Sequence, residues 1–340
     1  MYEFSISIRK SAENIRKKLL EISREDTLVF PLFTDLHTAD SQCEQTKKFL
    51  KALESLLSLV KCNGVINLGD NFSMLGREIQ ISNDELKKRI ENLLDKIYET
   101  ACVPVINVHG NHDAIGTDFF KSDFWNDCTK GKYGIENAVY GKGSYYYVDW
   151  KDSDTRFVIL SVPCDSDLDG ENPTPLWKFG KKQIEWVKSK ALATDRRVIL
   201  LCHSPLYYEY RGEYGDKMYE VWNGKEVCET HVSNLCGWIE DVEDMTSVIE
   251  DFKINNPGKL VACFSGHTHE DSLRMPHEEK DGFKNPLPCV QVVTCGVHRN
   301  EYAGEKDGFC MDVLVWTSSE NALTLLRLGD GKDREIEIKE

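Results

Sequence analysis

Five short stretches of the sequence carry side chains that can bind cations. They are Asp35-Leu36-His37, Gly69-Asp70-Asn71, Gly110-Asn111-His112-Asp113, His203, and Gly266-His267-Thr268-His269. Carboxylate, imidazole and amide oxygen suit Mn, Fe or Zn, and no cysteine stands at these positions, which argues against a structural zinc site. In extended backbone, residues i and i+2 face the same side, so Asp35 with His37, and His267 with His269, are each expected to present two side chains to one centre. Two ions about 3.5–4 Å apart polarise a shared water to hydroxide and clamp a phosphoryl oxygen, the logic of two-metal hydrolysis. Taken singly, each stretch has a plain reading: Asp35 as a turn former, Gly69-Asp70 as a loop dipeptide, His203 as a satisfied core histidine. Together, in this order and each after an apolar run, they are hard to attribute to chance.

The elements that must position these residues read as strands alternating with amphipathic helices. Thr27–Phe33, Gly64–Leu68 and Val103–Val108 are strand-length apolar runs. Between them, Ser41 with Glu44 and Ser82 with Glu85 have the spacing of capping boxes. They predict helices over about Gln42–Val60 and up to about Tyr98. A βαβαβ succession predicts parallel strands with right-handed crossovers, and open α/β sheets place their sites where the strands end. Further on, Ser144–Asp149 and Arg156–Val162 predict a hairpin. Helices near Lys181–Ala191 and Met245–Phe252 precede strands Val198–Cys202 and Leu260–Phe264. Val290–Thr294, Met311–Trp316, Ala322–Leu328 and Glu335–Ile338 read as short closing strands. The expectation is an α/β chain with two sheets packed face to face and helices outside.

Residues 1–26, with a basic helix around Ile15–Ile22, read as an N-terminal appendage, and residues 27–340 as a single domain with aromatic-rich loop insertions near 114–143 and 204–236. No linker rich in Pro, Gly or Ser divides the 340 residues. A chain of that length buries a core without needing disulfides. The balance of 42 basic against 57 acidic residues, a formal charge of −15, argues against a protein that grips long nucleic acid through its phosphates. That balance does not exclude a local positive centre supplied by something other than Lys and Arg, namely metal ions. The N-terminus lacks a basic region followed by an apolar core, the apolar runs are too short to span a bilayer, and the 12 cysteines are scattered with no CxxC pair. A soluble protein of a reducing compartment, cytoplasmic and without a membrane partner, is expected.

The five stretches resemble the calcineurin-like metallophosphoesterase superfamily, whose signature is DxH, GD, GNH[DE], H and GHxH. The motif span Asp35–His269 covers most of the chain, and Gln183-Ile184-Glu185-Trp186 is similar to the helix that precedes the family's lone-histidine strand. The resemblance implies a four-layer αββα sandwich of two mixed β-sheets with flanking helices, and a binuclear site holding two divalent or trivalent ions of Mn, Fe or Zn. In the family pattern Asp35, His37, Asp70 and His269 would hold one ion. Asp70, Asn111, His203 and His267 would hold the other, with Asp70 bridging. His112 is the family's non-ligand histidine near the scissile phosphate, expected to act as general acid or to stabilise charge. Asp113 would either orient it or cap the following turn. The implied activity is hydrolysis of a phosphodiester or phosphomonoester by a metal-bridging hydroxide. A binding scaffold without turnover is the alternative and, within the enzyme class, a nuclease or protein phosphatase.

Protein serine/threonine phosphatases of the superfamily carry GDxxDRG and RGNHE. Here Phe72 and Ser73 follow Asn71, and His109 precedes Gly110. The pattern is closest to class III cyclic nucleotide phosphodiesterases and purple-acid-phosphatase-like enzymes, with Ser73 where true purple acid phosphatases carry a tyrosine ligand. A small phosphoester, nucleotides included, is the expected substrate. Asn71, Tyr207, Tyr208 and Arg211 are candidate contacts: a base stacks on such rings and the guanidinium meets a phosphate oxygen. The same aromatics, with Phe119, Phe120, Phe124 and Trp125 after the GNHD stretch, could equally pack long loops onto the sandwich. His109 reads either as a residue supporting a ligand or as a buried structural histidine.

Overall fold

The computed structural model describes residues 2–38, 43–72, 83–113, 122–151, 153–162, 178–206, 209–211, 218–220, 239, 241–267, 272–274, 288–292, 295 and 309–338. Helix α1 (Tyr2–Ile22) leads into β1 (Thr27–Phe33), α2 (Glu44–Leu57), β2 (Val65–Asn67), α3 (Asn83–Ala101) and β3 (Val105–Asn107). Both β1–β2 and β2–β3 are parallel pairs, as a βαβαβ succession requires. After a 3-10 turn (Asn111–Asp113) come α4 (Ser122–Thr129), β4 (Val139–Tyr140), β5 (Tyr146–Asp149) and β6 (Thr155–Leu160). Helix α5 (Lys181–Trp186), widening into a π turn (Val187–Ala191), precedes β7 (Arg197–Cys202). The short pair β8 (Glu209–Arg211) and β9 (Met218–Glu220) stands apart as its own two-stranded sheet. The chain closes with α6 (Val242–Asn255), β10 (Leu260–Ser265), β11 (Ser272–Arg274), β12 (Cys289–Gln291), β13 (Cys310–Thr317), β14 (Ala322–Gly329) and β15 (Arg334–Ile336).

These strands form a six-stranded mixed sheet, β15-β14-β13-β1-β2-β3, and a seven-stranded mixed sheet, β11-β12-β10-β7-β6-β5-β4. The layering follows from period two in the strands. Leu28, Phe30 and Leu32 of β1 face the second sheet with Phe157, Ile159, Ile199 and Leu201, whereas Val29 and Phe33 face α1 to α4. On the far side, Val158, Leu160, Val198 and Leu200 pack against Val187, Met245, Ile249 and Phe252. Each central strand is therefore buried on both faces, which is why it reads as a continuous apolar run. The result is the αββα sandwich.

The helix expected around Ile15–Ile22 reaches back to Tyr2 and buries Ile8, Ala12, Ile15 and Leu19 in the first core. Helix α2 starts later than the Ser41–Glu44 spacing suggests: Cys43 is its N-cap, and the Cys43 sulfur accepts from the Thr46 N–H. Ser41 and Ser82 lie outside the described residues. Among the described residues, the cysteines at 43, 62, 102, 128, 202, 263, 289, 295 and 310 form no disulfide. Among the described residues no helix is long and apolar enough to cross a membrane.

Candidate metal centre

The C-terminal ends of β1, β2, β3, β7 and β10 converge, one end of each sheet facing the other. The backbone at these ends is held in an unusual shape. Asp35, His37, Asp70 and His267 all have positive φ (53°, 44°, 53° and 68°). Residues with a Cβ pay for that conformation, and such strain gathers at functional sites because the surrounding structure over-determines it. This corrects one expectation. Asp35 and His37 do not meet because they alternate on an extended strand; two left-handed turns bring them together, with His37 Nε2 3.4 Å from Asp35 Oδ1.

The turns are held by bonds between the loops. Asp35 N–H donates to Gly69 O (2.9 Å), His37 N–H to Asp70 O (3.1 Å) and Thr38 N–H to Asn71 O (2.9 Å), so the β1 loop continues a ladder with the β2 loop. Buried Asn67 donates to Asn107 Oδ1 (3.0 Å) and accepts from the Gly69 N–H (3.0 Å), ending β2 and β3 in step. Glycine is required where the loops touch. A Cβ on Gly266 would fall on Thr34 Oγ1 and stand 2.5 Å from Asp35 Oδ2.

Two donor groups result. In one, His37, Asp70 and His112 have ligand atoms within 4.8 Å of one another; in the other, Asp70, His203 and His267 do. Asp70 belongs to both. Its Oδ2 is 3.1 Å from His203 Nε2 and 3.9 Å from His112 Nε2, while its Oδ1 accepts from the His112 backbone N–H at 2.6 Å. Asn111 Oδ1 is 3.1 Å from His203 Nε2. His203 Nδ1 lies 2.8 Å from Leu68 O, which as an N–H donor to that carbonyl leaves Nε2 directed at the cluster. Asp35 Oδ2 accepts from Thr34 Oγ1 (2.5 Å) and the His267 N–H (3.0 Å), which fixes that carboxylate. Thr34 was not among the sequence candidates; its one signal is a small hydroxyl closing an otherwise apolar strand.

The electrostatics of the cluster pair its imidazoles with its carboxylates. Burial works against charge on His203, yet the Asp70 carboxylate, by its charge and hydrogen bond, holds the imidazole up to about 9. Burial would raise Asp70, but the His203 charge and hydrogen bond carry it well below the usual carboxylate range. Burial also opposes charge on His37, and the Asp35 hydrogen bond with the Asp70 charge raises it on balance. Burial lowers His112, outweighing the attraction of Asp70. The carboxylates thus draw protons onto ring nitrogens, the positions a cation would take. Oxygen and nitrogen donors, close spacing and a shared carboxylate fit a pair of divalent or trivalent ions.

Of the candidate residues, Asp35, His37, Asp70, Asn71, Asn111, His112, Asp113, His203 and His267 come together. His269, Tyr207 and Tyr208 lie outside the described residues, and for Arg211 only the backbone, in β8, is described. Asp113 requires a correction. Its carboxylate does not meet the His112 ring; it accepts from the backbone N–H groups of Asp70 (2.9 Å), Asn71 (2.8 Å) and Gly110 (3.2 Å) and from Asn71 Nδ2. Burial and the Asp70 charge push Asp113 up to about 7 against those donors. Asn71 accordingly spends its amide on Asp113 and is fully buried. His109 is buried and stacks on Trp125 (5.1 Å, 24°), with burial pushing it down to about 4, so it is a neutral ring packed between core and site. Trp125 is a packing residue.

Comparison with known proteins follows the same lines. The calcineurin-like phosphoesterase family matches residues 30–271. Among solved structures, the chain is similar to a dimetal phosphatase from Danio rerio, with a TM-score of 0.57 and 13% identity over 92% of this chain and 99% of that one. It is also similar to GAP50, the anchor in the inner membrane complex of Plasmodium (TM-score 0.46, 13% identity, 93% of this chain and 90% of that one). A third similar structure is a 5'-nucleotidase precursor from Thermus thermophilus (TM-score 0.38, 12% identity, 91% of this chain and 54% of that one). Comparison with curated proteins finds no match.

Proposed function

Because the chain belongs to the calcineurin-like phosphoesterase family, we propose that it is a binuclear-metal-dependent hydrolase of small phosphomonoesters or phosphodiesters. The observation that carries this reading is the shared carboxylate: Asp70 stands in both donor groups. Asp35, His37 and Asp70, with His269 from the family pattern, would hold one ion; Asp70, Asn111, His203 and His267 would hold the other. When bound, the ions supply Lewis-acid activation of water and of the phosphoryl oxygens.

The chain's own residues do the rest. Asp70 splits its two oxygens between His112 N–H and the imidazoles, so one side chain serves both groups without changing rotamer. Leu68 O holds the His203 ring in one orientation. His37 and His112 meet edge to face at 4.7 Å, and their side chains are 15% and 21% exposed while those of Asp35, Asp70 and His203 are sealed. That exposure supports approach of a phosphoryl group from the His37–His112 side, with His112 as the group that would give a proton to the leaving oxygen. Proton donation of this kind contributes roughly 10²–10⁴-fold. With a formal charge of −15 on the chain, bound ions would supply positive charge at the site to attract an anionic ester. Small substrates, nucleotides included, fit that charge balance better than long nucleic acid.

A panel of p-nitrophenyl phosphate, bis-p-nitrophenyl phosphate and cyclic nucleotides with added Mn²⁺ tests the reading. Turnover of at least one ester, abolished by EDTA and restored by Mn²⁺, is expected, and the panel ranks monoester against diester. Two bound ions with no turnover on any ester would favour the scaffold reading instead.

A further inference from the structure

The Asp70 and Asp113 carboxylates are locked to each other's loops. Asp70 Oδ1 accepts the His112 N–H at 2.6 Å, and Asp113 accepts the Asp70 and Asn71 N–H groups at 2.9 and 2.8 Å. Gly110 N–H (3.2 Å) and both contacts from Asn71 Nδ2 (3.3 and 3.2 Å) complete the set around Asp113. An ionised carboxylate offers about four acceptor sites, and these four donors occupy them. Asp113 is 1% exposed, so no water replaces a missing partner cheaply.

We infer that Asp113 is a positioning residue that acts through Asp70, fixing the left-handed backbone from which the bridging carboxylate serves both ions. The adjacent-acid-orients-histidine arrangement is absent: His112 Nδ1 has no hydrogen-bond partner among the described residues, and the Asp113 oxygens are committed elsewhere. Three of the four donors are backbone N–H groups, two of them on Asp70 and Asn71, where φ of Asp70 is +53°. A conformation that an aspartate adopts at a cost is thereby held by bonds to backbone rather than to side chains. The inference rests on the binuclear reading above and assigns the lock as what sets the affinity of both ions together.

Asp113→Asn tests it, because the amide keeps the size of the side chain but points a donor at N–H donors. Isothermal titration of the metal-free proteins with Mn²⁺ alone comes first. Wild type binding two equivalents is the premise; binding none would sink the binuclear reading, and this inference with it. Given two equivalents in wild type, Asp113→Asn is expected to weaken both by about 10–100-fold, the usual effect of losing a residue that supports a ligand. Raising Mn²⁺ should then restore most of kcat, with the pH profile unchanged. Wild-type Mn²⁺ affinity combined with a low kcat and a displaced pH profile at saturating Mn²⁺ would overturn the inference and assign Asp113 to His112. Should Asp113→Asn fail to fold, Asn71→Ala removes only the side-chain pair of bonds. It is expected to weaken both equivalents by a few-fold, and unchanged Mn²⁺ affinity in it would overturn the inference.

Discussion

Adding one methyl group at Gly110 should damage the centre without replacing any ligand. A Cβ there would fall on Asp70 N and Oδ1 and stand 3.0 Å from Asp70 Cα. Ordinary contact between carbon atoms needs about 3.5–4 Å, so in Gly110→Ala the β2 and β3 loops must part by roughly 1 Å. That displacement pulls on the His112 N–H to Asp70 bond (2.6 Å) and the Asp70 and Gly110 N–H bonds to Asp113 (2.9 and 3.2 Å). Overpacking of this sort costs about 1–3 kcal/mol, visible as a lower Tm of the metal-free protein. A misplacement of that size also costs kcat/KM about 10²-fold. Gly131→Ala is the control. Its φ is +67° and nothing lies within 4 Å of the added Cβ, so it pays backbone strain alone. It should lower stability by about 1 kcal/mol and leave Mn²⁺ binding and kcat/KM intact. If Gly110→Ala kept wild-type Mn²⁺ affinity and turnover, the close approach of the two loops would not be what builds the site.

Three further outcomes are expected. Asp70→Asn should lose both ions by elemental analysis, since both donor groups contain it; two full equivalents in that variant would remove Asp70 as the bridge. His112→Ala should keep two ions and lose roughly 10²–10⁴ in kcat; loss of one ion would instead make His112 a ligand of the group it forms with His37 and Asp70. Lys253, whose ammonium has no hydrogen-bond partner among the described residues, is held down to about 8 by burial. The folded state therefore releases this proton at lower pH than the unfolded chain, and stability should rise between about pH 8 and the ordinary lysine value of 10.5. Because the side chain is only half-buried, Lys253→Met should gain about 1–2 kcal/mol at pH 7 and flatten that rise; an unchanged urea midpoint at both pH values would refute it.

Legibility in the sequence tracked burial. Strands β1, β7, β10 and β13 are covered on both faces, so Thr27–Phe33, Arg197–Cys202, Leu260–Ser265 and Cys310–Thr317 differ from the expected runs by at most one residue at either end. Helix α4 and strands β8 and β9 were not read, because eight mixed residues, and three-residue strands such as Glu209–Arg211, carry no usable period. The ligand types and their order were legible because the chemistry needs those side chains. The backbone beneath them was less so: Gly69 and Gly266 mark turns before Asp70 and His267, but the left-handed residues Asp35, His37, Asp70 and His267 are not themselves glycines. The same limit applies to Asp113: neighbouring His112 in sequence suggested a pairing, and only the fold directs its carboxylate to the backbone of a loop 43 residues away.

Anomalous diffraction from crystals grown with Mn²⁺ addresses the central claim most directly. Two peaks are expected, one on either side of the Asp70 carboxylate, the first bounded by His37 and the second by His203 and His267. A single peak, or peaks that leave Asp70 without a bond to manganese, would contradict the account.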